Sequence, residues 1–160
     1  MMLVISVIVA LAILGVLLQI LGGLNFGVGN PIDVMKDGMN KLHSKGFGIF
    51  PSDKKVTFEP GKPVYARDVV VDLPIVYTNV HFLWDTTLND FFKVDGSSEA
   101  ASNGYKLDFT KKFDANIVIC GDGTFDPPVY CVSIANTLRK ASDICDSKCI
   151  SGTAPSSGPV

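Results

Sequence analysis

Charge is missing from the first 32 residues: the 14 lysines and arginines and the 16 aspartates and glutamates all lie from Asp33 onward. With no basic residue ahead of the apolar run, a run longer than a secretory core, and Leu21-Gly22-Gly23 a poor small-residue exit, a cleaved signal peptide is not expected. Catalytic fingerprints are missing too. There is no G-x-S-x-G, H-E-x-x-H, phosphate-loop or dinucleotide pattern, which argues against a hydrolase or nucleotide enzyme. Histidine is scarce, with only His43 and His81, neither close in sequence to a cysteine or motif-bearing serine. A net charge of −2 and a pI of 5.6 give nucleic acid nothing to bind. Lys54-Lys55 and Lys111-Lys112 are isolated pairs on solvated loops or edges. The expectation is a non-enzymatic protein with no cofactor, no metal, no nucleic acid and no small-molecule substrate.

What is present begins with residues 2–21, in which Ser6 and Gln19 are the only polar side chains. As a helix rising about 1.5 Å per residue the run spans roughly 30 Å, the thickness of a bilayer's hydrocarbon core. A transmembrane-type helix over residues 1–21 is therefore expected. On a wheel of 100° per residue, Ala12, Gly15, Gln19 and Gly22 fall within about 80°, with Ser6 and Ala10 opposite. Small residues let helices approach closely and Gln19 can hydrogen-bond across such an approach, so this face is read as a helix-assembly face.

Four glycines within residues 22–29 predict that the helix ends or bends in a hinge over 22–30. Asn30 and Pro31 then read as N-cap and first position of an amphipathic helix over 31–46, with Asp33 in its first turn and Gly46 as its C-terminal stop. Its apolar stripe is Ile32, Met35, Met39 and Leu42. Two uses of the stripe are open: packing on neighbouring subunits, or docking on the chain's own sheet.

Residues 47–150 read as a β-rich globular domain. Strands are expected at 55–58, 64–66, 69–71, 75–83, 105–109, 117–120 and 129–132, separated by turn-forming stretches such as Glu59-Pro60-Gly61 and Ser102-Asn103-Gly104. A small antiparallel sheet or sandwich follows, with a C-terminal helix from about 133 to 149 and a flexible tail over 151–160. The fold class is α+β. His81, Trp84, Phe91 and Phe92 read as core, and residues 121–126 as a solvated turn without the ligand order of a calcium loop.

Cys120, Cys131, Cys145 and Cys149 form an even set in the last 41 residues, which points to disulfides in an oxidising compartment. Zinc ligands usually come in close pairs, and only the last two are close in sequence. Pairing Cys120 with Cys131, which would close the loop 121–130, is the preferred bond and leaves Cys145 with Cys149, a bond that requires the helix to fray before Cys149. An intact helix would instead cross-pair the cysteines and fix itself to the sheet. Three residues between Cys145 and Cys149 depart from the two of a thiol-disulfide enzyme. Lys36, Lys41 and Lys45 favour an internal domain by the positive-inside rule, whereas the cysteines favour an external one. The cysteine signal is taken as the stronger.

An apolar N-terminal helix with no basic leader, followed by a β-rich domain with candidate disulfides, resembles a mature archaeal type IV pilin or pilin-like protein. The resemblance covers the architecture and roughly the first 45 residues; the bacterial members' glutamate at the fifth mature position is Ile5 here. It implies a structural subunit of an extracellular filament, a homo-oligomer assembled through its N-terminal helix and held in a membrane before assembly. The alternative is a single-pass membrane protein whose external domain serves a surface complex.

Overall fold

A computed structural model describes residues 2–23, 29–95, 105–150 and 157–160, with side chains described over 3–17, 29–92, 105–150 and 157–160. Helix α1 runs Met2–Gly23. The bend expected over 22–29 falls largely on residues 24–28, outside the described residues. Gly29 then makes a parallel bridge with Val56, its N–H donating to the Lys55 carbonyl at 3.1 Å.

Helix α2, Pro31–Lys45, starts and stops where its cap residues stand. The Asn30 side chain accepts from the Ile32 N–H at 3.1 Å, and Gly46 turns left-handed at φ 84°, its N–H donating to Leu42. Asn30 contributes about 1 kcal/mol as a cap of this kind. Met35, Met39 and Leu42 are fully buried and Ile32 half-buried against the same core. The stripe therefore docks on the chain's own sheet, and packing of that stripe on neighbouring subunits is set aside.

The main sheet is six-stranded and mixed, which corrects the antiparallel expectation. Strands β1 (Phe47–Pro51), β2 (Val56–Phe58), β4 (Val80–Trp84), β7 (Phe113–Asp122), β8 (Val129–Ala135) and β9 (Gly158–Pro159) form the order β1-β7-β8-β4-β9, with β2 also on β7. β1, β2 and β8 run antiparallel to β7, whereas β4 is parallel to both β8 and β9. A three-stranded antiparallel sheet, β3-β6-β5, comes from β3 (Val64–Tyr65), β5 (Phe92–Asp95) and β6 (Lys106–Phe109).

Side-chain alternation along β7 creates two cores. Ala115, Ile117 and Ile119 point to a large core under α2 and the small sheet, with Phe58, Phe82, Trp84 and Phe109. Val118 and Cys120 point to the opposite face, with Leu83, Cys131 and Ala135, beneath α4 (Leu138–Ile144) and a π-helical turn, Cys145–Cys149. Covered on both faces, β8 is buried at every position, which explains its near-continuous apolar sequence.

Four further differences have local causes. The strand expected at 69–71 is replaced by helix α3 (Ala66–Val69), whose tight turn buries Ala66, Val69 and Val70 together. The strand expected at 75–83 begins at Val80, because Tyr77–Asn79 forms a 3-10 turn. The C-terminal helix begins at Leu138 under a Thr137 cap, since Ser133–Ala135 completes β8. The tail was expected to be flexible, yet Gly158–Pro159 pairs beside Leu83 and Trp84, Val160 donates to the Trp84 carbonyl at 2.9 Å, and Val160 packs on the second core. Residues 151–156 lie outside the described residues.

Candidate functional site

The described side chains of α1 are uncovered. From Leu3 to Leu17 its large apolar residues are between 48% and 79% exposed. Ala12 is exposed as well, and a Cβ on Gly15 would meet nothing within 4 Å. Gln19 and Gly22 belong to the helical backbone, but their side-chain surroundings lie outside the described residues, so the assembly face is visible only in its Ala12–Gly15 half. Val9, Ala12, Ile13, Val16 and Leu17 line a shallow apolar hollow of 360 Å³ on this helix. Their i, i+3, i+4, i+7 spacing puts them on one face of the helix, with Ala12 as the low point. That hollow shares Ala12 with the small-residue face and otherwise lies beside it, and no single residue type marks it in the sequence.

Among the described residues no helix is long and apolar enough to cross a membrane. The transmembrane expectation is corrected to this extent: α1 is helical over Met2–Gly23, but no helix among the described residues qualifies as a span.

The second feature is the cystine cluster. Cys120 bonds Cys145 and Cys131 bonds Cys149, with Cα separations of 6.0 and 6.2 Å. This corrects the preferred pairing and realises the cross-paired alternative. The physical reason is that the chain stays helical through Cys149, in the π turn, so Cys145 and Cys149 both face the sheet. Cys120 and Cys131 stand opposite each other in the β7–β8 ladder and both face the helix. All four are buried, at 1% exposure or less.

Other polar features are dispersed. His81 is half-buried on β4 with its ring centroid 5.8 Å from that of Tyr105, and its Nδ1 has no hydrogen-bond partner among the described residues. Burial holds its pKa below the ordinary 6.5. Asp85, tucked between β4 and α4, accepts from Lys140 at 3.0 Å, a bond that lowers its carboxyl pKa; the Thr87 N–H adds to it. Asp122 accepts from the Thr124 N–H at 2.8 Å, making the loop after β7 a closed turn. Hollows of 360 and 480 Å³ flank Gly29, one bordered by Asp33, Asp37 and Lys41, the other by Glu59 and Lys62. In the first, Lys41 pairs with Asp37 at 2.8 Å; in the second, Lys62 pairs with Glu59 at 2.6 Å. Neither hollow brings a nucleophile to a base among the described residues. No family model, curated protein or solved structure matches the chain.

Proposed function

We propose that this chain is a structural subunit of an extracellular, pilin-like filament, held in a membrane before assembly and joined to further copies through α1. The observation that carries the reading is the uncovered helix. Two cores are complete without α1, and every described large apolar side chain on it is at least 48% exposed. Burying one such side chain is worth roughly 1.5–3 kcal/mol, so a helix of this composition is held in water only at great cost.

Area supports the same conclusion. A compact monomer of 17.1 kDa exposes about 7,700 Å², and this chain exposes 9185 Å². The excess, about 1,400 Å², is more than the roughly 800 Å² per partner that a standard interface takes. With the α2 stripe committed internally, α1 is the surface on which assembly depends, and the Val9–Ala12–Ile13–Val16 hollow is a seat for a neighbouring helix. The disulfide-stapled domain suits an oxidising exterior.

Electron microscopy of material sheared from cells tests the reading, with the chain expected in filaments. Recovery solely as a detergent-extractable monomer overturns it in favour of a lone anchor. Replacing Gly15 or Gln19 by Leu is expected to impair assembly; unchanged filament yield from both variants counts against helix packing on that face.

A further inference from the structure

We infer that the reduced chain binds one Zn²⁺ ion through the thiolates of Cys120, Cys131, Cys145 and Cys149. The sulphur atoms of Cys120, Cys131 and Cys149 lie within 4.8 Å of one another, and the Cys145 sulphur is bonded to that of Cys120. Three sulphurs thus meet at one buried point, and the fourth is one bond away from it. A tetrahedral zinc–thiolate centre has bonds of about 2.3 Å, which sets its sulphurs roughly 3.8 Å apart. Among these three the unbonded sulphurs need to close by at most about an ångström, while the Cys145 sulphur, outside the 4.8 Å group, swings in by more as its side chain rotates. The bonded ones part by side-chain rotation, for which Cα separations of 6.0 and 6.2 Å leave space.

Structural zinc sites gather their ligands two by two from close pairs in sequence. This fold makes such pairs in space. The β7–β8 register sets Cys120 opposite Cys131, and the π turn sets Cys145 and Cys149 one turn apart on the facing helix. Both pairs sit on rigid elements, and the centre is closed to water, as a four-coordinate structural site requires. Without metal, the reduced cluster would leave thiols in an apolar pocket, where the Val118 and Cys120 carbonyls lie 3.8 Å from the Cys145 and Cys149 sulphurs.

Loading is an exchange of protons: Zn²⁺ enters, four thiols lose four protons, and no electrons move. Oxidation is the competing fate. It transfers four electrons and four protons to an external disulfide-bearing acceptor and leaves the two cystines. The inference does not depend on the filament reading, because it concerns the domain alone.

The test uses the full chain in detergent. A trialkylphosphine reduces it, each phosphine taking one oxygen from water while one disulfide gains two hydrogens. Co²⁺ is then titrated as the probe, followed by Zn²⁺. One Co²⁺ per chain is expected, with visible ligand-field bands, the near-ultraviolet charge-transfer intensity of four thiolates, four protons released, and bleaching by one equivalent of Zn²⁺. The oxidised chain should bind none. If reduction unfolds the domain, metal is added during refolding, and recovery of the near-ultraviolet circular dichroism with one bound ion supports the site. Absent bands, or intensity corresponding to two thiolates, overturns it. So does retained binding in a reduced Cys145→Ser, Cys149→Ser variant.

Discussion

Gly38 lies in the interior of α2 and against β7, so replacing it by Ala sets two effects of opposite sign against each other. In an open helix the change would stabilise by about 1 kcal/mol, because Ala is the better helix former. Here a Cβ at position 38 would come to 2.3 Å from Ile119 Cγ1 and 2.9 Å from its Cβ. Carbon atoms in good packing stand about 3.5–4.0 Å apart, so α2 or β7 must yield by more than an ångström. Ile119 is 1% exposed and β-branched, with little freedom to rotate away. Overpacking of this kind costs about 1–3 kcal/mol, and with a clash this close it should outweigh the propensity gain, leaving Gly38→Ala destabilised by up to about 2 kcal/mol. Thermal and urea unfolding of the oxidised chain would measure it. Ile119→Ala alone should cost about 2–5 kcal/mol, yet the double variant should be more stable than the two single losses predict, since the clashing Cγ1 is gone. A stabilised Gly38→Ala, or additive losses in the double variant, would refute close seating of α2 on β7.

Further outcomes follow from the cystines and the titrating groups. Converting Cys131 and Cys149 together to Ser should lower stability by about 3 kcal/mol, given a loop separation of 18 residues, and the Cys120–Cys145 pair, separated by 25, should cost slightly more by denaturant unfolding. His81 has its pKa depressed by burial, so the unfolded chain binds its proton more readily. Stability should therefore fall as pH drops below 6.5, and His81→Phe should flatten that fall; an unchanged pH profile would count against a buried neutral ring. Asp85 is depressed by its bond to Lys140, and its contribution, present above the ordinary 3.8, should be lost as pH falls below it. Acid unfolding of Asp85→Asn should lack that component. Asn30→Ala should cost about 1 kcal/mol through the lost cap, read as a lower unfolding midpoint.

Features written in local chemistry were legible from the sequence. Asn30, Pro31 and Gly46 bound α2 through their own cap and turn geometry, and the 3.6-residue spacing of Met35, Met39 and Leu42 marked its buried face. Partners distant along the chain were not. β1, with Gly48 and Pro51, is not among the strands expected from the sequence, yet an edge strand tolerates both residues. The parallel pairing of β4 with β8 depends on the course of the chain between them, which alternation along either strand does not record. The tail reads as polar and small, yet Ser157 accepts from the Phe82 N–H at 3.0 Å and Val160 finds an apolar seat. For the cysteines, spacing offered two pairings, and the continuity of the helix through Cys149 selected between them. The approach of the Cys120, Cys131 and Cys149 sulphurs comes from ladder register, which no spacing rule contains.

The main sheet is assembled from the two ends of the domain inward: β1 pairs with β7 some seventy residues later, and the central β8 arrives at Val129–Ala135. During synthesis at about 5–20 residues per second, α1 is complete roughly 6–20 s before β8 exists. The main sheet is not available in that interval to shield the apolar helix. On the reading proposed above, delivery of α1 to apolar surroundings precedes folding of the domain that follows it, so the order of synthesis separates the two events in time.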